Sequence, residues 1–420
     1  MNYPDSVHFL YALGNEVKTA KLGLERIRTV LDALGRPQDR CRIVHVAGTN
    51  GKGSTCAMIE SGLRAAGERT GLFTSPHLIE PTERIQISGR PVTAEAFTRA
   101  FDRVHETVEN LLAEGAIDLH TTYFETVTAM AFVIFAGERV DRVVLEVGLG
   151  GRLDATNVVL PELCVITPVD FDHEMFLGRS IEAIAGEKAG ILKPGVPAVI
   201  ARQREGATQV IAARASELGV PTVWTRGAAV SGLSLDARGS SFRLGDLAIR
   251  CPLAGEHQVE NAVTAALALE RLSIERHAIE QGIAQAEWPG RLERVSERPE
   301  IVLDGAHNPA GARALAAYIG RFYQGRKVRL IFGAMRDKAV AEIGGILFPL
   351  AQEVIATAPR QARALAAETL AAVADHPRLR VARDIEEALA MAREDAGAND
   401  AIFVTGSLFL VAEARAILKT

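Results

Sequence analysis

The chemistry in this chain is concentrated in Ala47-Gly48-Thr49-Asn50-Gly51-Lys52-Gly53-Ser54-Thr55, where glycines, a lysine and adjacent hydroxyls stand together. A turn of this composition lets successive backbone N–H groups converge on phosphate oxygens, and a helix behind it adds partial positive charge. Lys52 would reach the β- and γ-phosphates, and Ser54 or Thr55 would face a metal ion. The strict phosphate-loop spacing is not met: Val46 stands at the first glycine position, and Gly53 separates Lys52 from the hydroxyls. A glycine-rich turn without a ligand is the plain alternative. The β-branched run Arg42-Ile43-Val44-His45-Val46 before it and the helical pattern from Cys56 to Ala66 after it favour a nucleotide site.

Other polar residues stand where open α/β sheets place ligands, just past the carboxyl ends of strands. Ser75 follows the short strand Arg69-Thr70-Gly71-Leu72-Phe73 and could give a hydroxyl to a metal or phosphate, or only shape a turn. Glu146 closes the strand Asp141 to Val147, ahead of the turn Gly148-Leu149-Gly150-Gly151-Arg152-Leu153-Asp154, and is placed to bind magnesium. Asp172 and His173 follow the strand Leu163-Cys164-Val165-Ile166-Thr167 in the same way. Lys188 sits in the last turn of a helix capped by Ser180, where the helix dipole alone would account for a cation. Asn261 lies among alanines early in another helix, where a buried amide needs a partner.

The elements that must position these groups alternate between strand and helix along the chain, which predicts α/β architecture with a mostly parallel sheet. Helices are expected over residues 5–14, 22–34, from Thr93 to about Glu114, and over 205–218, and a β-hairpin region from Ser231 to Arg250. The run Val127 to Ala136 is too short to span a bilayer and reads as a buried helix. Trp288-Pro289-Gly290 marks the best domain boundary, followed by a strand, the turn Gly305-Ala306-His307-Asn308 and a helix opened by Pro309. Net charge is −5 over 420 residues with acids and bases well mixed, so nucleic acid is not an expected partner. Four cysteines without metal-ligand spacing and a polar, acidic N-terminus point to a cytoplasmic protein with reduced thiols and no membrane association.

Taken together, these residues resemble the Mur ligase superfamily, and most closely its folylpolyglutamate synthase/dihydrofolate synthase family. The resemblance runs from Leu22-Gly23-Leu24-Glu25-Arg26 to Val404-Thr405-Gly406-Ser407. It rests on the phosphate loop, Ser75-Pro76-His77-Leu78, Thr122-Tyr123-Phe124-Glu125, the stretch Glu146 to Asn157, Asp172-His173, Glu187-Lys188-Ala189-Gly190, Gly290-Arg291 and Asp304 to Pro309, in the family's order. The family's phosphate loop is the compact form written here.

The resemblance implies an N-terminal phosphate-loop ATPase domain with a mostly parallel sheet (1–287), a hinge (288–298) and a smaller Rossmann-like C-terminal α/β domain (299–420). It implies ATP contacts from Thr49, Asn50, Gly51, Lys52, Gly53, Ser54, Asn261, Arg291 and Asp304. Metal ligation falls to Ser75, Glu146 and His173, catalysis to Lys52, Lys188 and His173, and Lys188 would be carbamylated. The pterin pocket would comprise Lys21, Leu22, Gly23, Thr122, Tyr123, Phe124, Glu125, Leu153, Asp154 and Ala155, with Asp154 accepting from the pterin and Phe124 stacking on it. Lys21 departs from the family, which carries an acidic or apolar residue there. The expected reaction is ATP-dependent amide formation through an acyl phosphate, joining L-glutamate to dihydropteroate and to reduced folates. Expected cofactors are ATP, two magnesium ions and a monovalent cation, and the expected state is a monomer. Three alternatives compete: a synthase that only extends folates, a cell-wall amino-acid ligase, and a nucleotide-gated switch. The second usually carries a further N-terminal domain, and only about 40 residues precede the loop here; the third would hydrolyse ATP without an amino-acid co-substrate.

Overall fold

The computed structural model describes residues 1–14, 23–373, 376–394 and 396–419. β1 (Arg42–Ala47), β2 (Thr70–Phe73), β3 (Ile85–Ile87), β4 (Arg90–Pro91), β5 (Arg142–Glu146), β6 (Leu163–Ile166), β7 (Ala198–Ile200) and β8 (Thr222–Trp224) form one sheet in the order β4-β3-β2-β5-β1-β6-β7-β8. β2, β5, β1, β6, β7 and β8 run parallel, and β3 and β4 add an antiparallel edge. β1 lies at the centre, and its register sets Val46 beside both Glu146 and Val165.

Alternation along these central strands divides their side chains between two cores, as the two-residue period of a strand requires. Ile43, Val143 and Leu145 face the helices Glu25–Ala33, Ala94–Ala113 and Tyr123–Gly137. Val44, Val46, Val144 and Val165 face the helices Lys52–Ala65, His257–Arg271 and Arg276–Ala284. The run 127–136 is indeed a buried helical stretch, inside Tyr123–Gly137. Thr93 and Ser180 cap their helices by accepting from Ala96 N and Ala183 N, as their sequence positions indicate. The second expected helix is shorter than 22–34; it spans Glu25–Ala33, and Lys21 and Leu22 lie outside the described residues.

The expected hairpin region is a three-stranded meander of β9 (Val230–Asp236), β10 (Gly239–Leu244) and β11 (Leu247–Cys251). Phe242, Leu244, Leu247 and Ile249 of the meander join the core of the Lys52–Ala65 helix. The last third holds β12 (Glu293–Glu297), β13 (Glu300–Leu303), β14 (Val328–Phe332), β15 (Glu353–Ala356), β16 (Leu379–Val381) and β17 (Ala401–Thr405), ordered β12-β13-β17-β14-β15-β16. The stretch 288–298 is not all hinge. Its residues 293–297 are β12, which pairs antiparallel with β13 and so belongs to the C-terminal sheet. Among the described residues no helix is long and apolar enough to cross a membrane.

The phosphate-loop helix is held from behind by backbone contact. A Cβ on Gly282 would stand 2.3 Å from Gly62 Cα and 2.5 Å from Gly62 N, so the helices Lys52–Ala65 and Arg276–Ala284 cross with no room for a side chain. Backbone cannot rotate away as a side chain can. Gly282→Ala should therefore cost about 1–3 kcal/mol, read as a lower denaturant midpoint than the parent's, whereas Gly320→Ala, at a helical site with nothing within 4 Å, should not.

Candidate active site

The strand β1 ends in a turn that only glycine can make. Gly48 has φ +147°, and a Cβ there would lie 1.9 Å from Thr167 Oγ1; Gly51 has φ +83°, and its Cβ would lie 2.2 Å from Asn261 Oδ1. The turn is tied down from the next strand, since Thr49 N and Asn50 N donate to Pro168 O at 3.0 and 3.2 Å. Gly51 then begins the helix Lys52–Ala65, whose first N–H groups have no intrahelical acceptor and face the cavity beside the loop. Lys52 folds over the loop, its Nζ donating to Thr49 O at 3.2 Å. Of the two hydroxyls that could face a metal, Ser54 lines the cavity; Thr55 is fully buried and does not.

Around this loop lies a cavity of about 380 Å³ shared by both halves of the chain. The N-terminal half lines it with Thr49, Asn50, Gly51, Lys52, Gly53, Ser54, Ser75, Glu146, His173, Lys188 and Asn261, and the C-terminal half with Arg291 and Asp304. Every residue assigned from sequence to nucleotide, metal or catalysis is thus in one place. Asn261 has its partner: its Nδ2 donates to Gln258 Oε1 at 2.9 Å, and Gln258 Nε2 donates to Ser54 Oγ at 3.2 Å.

Glu146 is buried at the tip of β5 and accepts from Ser75 N at 3.0 Å. Burial raises its pKa, against the pull of Lys52, the Ser75 N–H, Arg291 and Arg84. No described basic group pairs with it within 4 Å. A buried carboxylate left in this state, with the Ser75 hydroxyl and the His173 imidazole in the same cavity, suits a divalent cation. Lys188 is also buried, its Nζ donating to Gly48 O at 2.8 Å. Burial and then the charge of Lys52 push its pKa down to about 7. The helix dipole is thus not the whole account of Lys188: the last turn of its helix packs under the phosphate loop, not against water.

Sequence reasoning did not assign a role to the node that joins the two halves. Asp172 receives Lys338 Nζ at 2.6 Å and Asn308 Nδ2 at 3.1 Å, and His307 Nε2 lies 3.5 Å away. Asn308 also donates to Asn50 Oδ1 at 2.9 Å, so the C-terminal half touches the phosphate loop directly. Burial alone would raise the Asp172 carboxyl, but the His307 hydrogen bond and the charges of His307, Lys338 and His173 hold it well below the usual range. The signal was available: His307 and Asn308 follow β13, and Lys338 follows β14.

Among the described residues, those assigned to a pterin pocket do not line this cavity, and two of them are engaged elsewhere. Glu125 forms a capping box with Thr122, accepting from Thr122 N at 2.8 Å, and pairs with Arg26 at 2.7 Å. Asp154 accepts from Leu149 N at 2.8 Å and from Thr156 N at 3.0 Å, and Thr156 in turn accepts from the buried His45. The expectation that Asp154 presents a free bidentate face to a pterin fails here, because that carboxylate holds the Gly148–Asp154 turn together. Ala155 is in the N-terminal core, Leu153 is half-buried, and Gly23 stands before the helix Glu25–Ala33. Tyr123 stacks on Tyr11 at 5.7 Å beneath the Arg84 guanidinium. Phe124 packs on Gly148, where a Cβ would be 2.5 Å from its ring, and Gly148 lines the cavity from the other side.

A family model described as the Mur ligase middle domain matches residues 46–269, and one described as the Mur ligase, glutamate ligase domain, matches residues 290–408. The dihydrofolate synthase/folylpolyglutamate synthase of Bacillus subtilis is 36% identical over 414 residues, which is 95% of each chain. Mycobacterium tuberculosis folylpolyglutamate synthase complexed with ADP and AMPPCP superposes with a TM-score of 0.92 at 33% identity, covering 100% of this chain and 99% of that one. Escherichia coli FolC in complex with DHPP and ADP superposes with a TM-score of 0.89 at 32% identity, covering 100% and 98%.

The Asp172 node gives a pH signature. A carboxylate whose folded pKa is depressed adds stability above its unfolded pKa of about 4, and this is lost as pH falls below that value. Asp172→Asn leaves Lys338 buried without its counter-charge and should cost about 2–3 kcal/mol at pH 7. Denaturant melts at pH 7, 5 and 3 should show the gap from the parent intact at pH 5 and narrowing at pH 3.

Proposed function

The chain belongs to the Mur ligase superfamily, in its folylpolyglutamate synthase/dihydrofolate synthase family, and from this we infer that the shared cavity is the seat of its chemistry. The protein is an ATP-dependent ligase that forms C–N bonds, adding L-glutamate to dihydropteroate and to the glutamate tail of reduced folates. ATP and a divalent cation are required. The observation that carries the site assignment is the convergence of Lys52, Glu146, Lys188, Arg291 and Asp304 on one cavity walled by both halves.

In this reading the substrate carboxylate attacks the γ-phosphorus of ATP, ADP departs, and glutamate nitrogen then displaces phosphate from the acyl carbon. Lys52 and the first N–H groups of its helix hold the phosphates and offset charge on the transferring group. A divalent cation held by Ser75, Glu146 and His173 would supply further charge compensation there. Arg291 and Asp304 hold the nucleotide from the C-terminal side. The contacts of His307, Asn308 and Lys338 with the N-terminal half keep the cavity closed, which positions the reactants and excludes water. The division at 288–298 serves as the pivot between the halves, with β12 moving as part of the C-terminal sheet. The pterin sits against Phe124 and the segments 122–125 and 153–155, with Glu125 and Asp154 acting by shaping the wall. The enzyme works as a monomer in the cytoplasm, in keeping with four free thiols.

Lys188 is the residue to be carbamylated. Only an uncharged amine attacks carbon dioxide, and a pKa of about 7 leaves much of Lys188 uncharged near neutrality. The product is an anion beside Lys52.

With dihydropteroate, glutamate, ATP and magnesium, the protein should release ADP and form dihydrofolate. Leaving out either glutamate or dihydropteroate should stop ADP release. Lys52→Ala and Glu146→Ala should each lower the rate by about 10²–10³-fold or more. Turnover of ATP that ignores the amino acid would overturn the ligase reading. Lys188→Ala should lose activity and regain part of it with a small added carboxylate such as acetate; lack of any rescue would count against a carbamate.

A further inference from the structure

Away from the cavity, three side chains with metal-ligating atoms meet where the helix Ala94–Ala113 is crossed by the loop 114–122. His105 and Glu109 are one helical turn apart and share a face, and His120 reaches across from the loop. Glu109 Oε1 lies 3.7 Å from His105 Nδ1 and 3.5 Å from His120 Nε2, and the ligating atoms of all three fall within 4.8 Å of one another. A tetrahedral ion with bonds of about 2.0–2.1 Å spaces its ligand atoms about 3.4 Å apart. The cluster is already close to that size.

The hydrogen bonding of the rings points the same way. His120 Nδ1 lies 3.0 Å from the Thr121 carbonyl, which can only accept, so Nδ1 carries the hydrogen and Nε2 presents its lone pair. A backbone carbonyl holding the far nitrogen of a ligand imidazole is the usual support for a metal-bound histidine. His105 Nδ1 and His120 Nε2 are both buried atoms without a hydrogen-bond partner. Their separations from Glu109 are too long for hydrogen bonds. Packing fixes the rings: Phe9 stands 4.7 Å from His105 and 5.7 Å from His120, and Phe101 stacks on His105 at 5.5 Å. Glu109 is half exposed, which leaves a path from solvent.

We propose that His105, Glu109 and His120 form a binding site for a divalent transition-metal ion of the zinc class, with a fourth position open to water. Two imidazoles and one carboxylate select such an ion over magnesium or calcium, which prefer all-oxygen shells. The ion would fasten the loop 114–122 to the helix Ala94–Ala113. It would also steady Thr122, the N-cap of the helix that carries Phe124, two residues beyond His120.

The test uses the full-length protein stripped with a chelator and then held in excess magnesium and ADP, which occupy the nucleotide cavity. Cobalt(II) should bind at one ion per chain with the intense visible bands of a low-coordinate site, and zinc(II) should displace it and raise Tm. Glu109→Gln, at an exposed position that the fold does not need, should weaken cobalt binding by about tenfold or more. His120→Asn should do the same and abolish the zinc-induced rise in Tm. A cobalt spectrum no different from the aqueous ion, or affinity unchanged in Glu109→Gln and His120→Asn, would overturn the proposal.

Discussion

Glu146 is a carboxyl group at the tip of a central strand, out of water and with no cation among the described residues paired to it. That buried carboxyl group is the constraint around which the N-terminal half is built. Removing a carboxylate from water is costly unless a counter-charge arrives, and here Lys52, Arg291 and Arg84 act on it only from a distance. Lys188 is the mirror case, an amine buried beneath Gly48 with its pKa brought down to about 7. Each of these buried groups is held by one backbone partner, the Ser75 N–H for Glu146 and the Gly48 carbonyl for Lys188. In the proposed site a divalent cation would sit at Glu146 and the phosphates above Lys52, where each would meet a group of opposite charge.

The parallel sheet makes this concentration of charge affordable. β5, β1 and β6 end side by side, so the loops that follow them rise from one edge of the sheet. The buried alternation of Val44, Val46, Val144 and Val165 on one face and Ile43, Val143 and Leu145 on the other anchors those edges. Stability therefore comes from below the site. The backbone crossing of Gly62 and Gly282 belongs to the same arrangement, holding the phosphate-loop helix at fixed depth.

The two halves of the chain are joined beside the cavity by a separate polar contact. Asp172, on the loop after β6, is matched by Lys338, Asn308 and His307 from two loops of the C-terminal sheet. These loops follow β13 and β14, so the C-terminal half also works from the carboxyl ends of its strands. Loops from the carboxyl ends of strands in both sheets thus line the one cavity. The charged contacts at their meeting point are within reach of the phosphate loop through Asn308 and Asn50.

Much of this was legible in the chain. Gly48, Gly51 and Lys52 between a β-branched strand and a helix pointed to a phosphate loop, since backbone geometry and charge are local properties. Glu146 and His173 stood out for a related reason: strand periodicity locates the carboxyl ends of strands, and ligands gather there, whereas Asp304 came from the family resemblance. Caps such as Thr93 and Ser180 are local as well. What the sequence could not decide was which partner each polar group would meet across a long separation. Glu125 and Asp154 read as ligands for a substrate, yet Arg26, Leu149 and Thr156 use their oxygens. For Lys188 the local pattern alone allowed a simple helix-dipole cation, and only the packing of its helix buries it under Gly48. Asp172 with Lys338, and His120 with His105, are separated by too many residues for any local pattern to pair them. Hydrogen bonds and burial are properties of three-dimensional neighbours, and only the folded chain determines who those neighbours are.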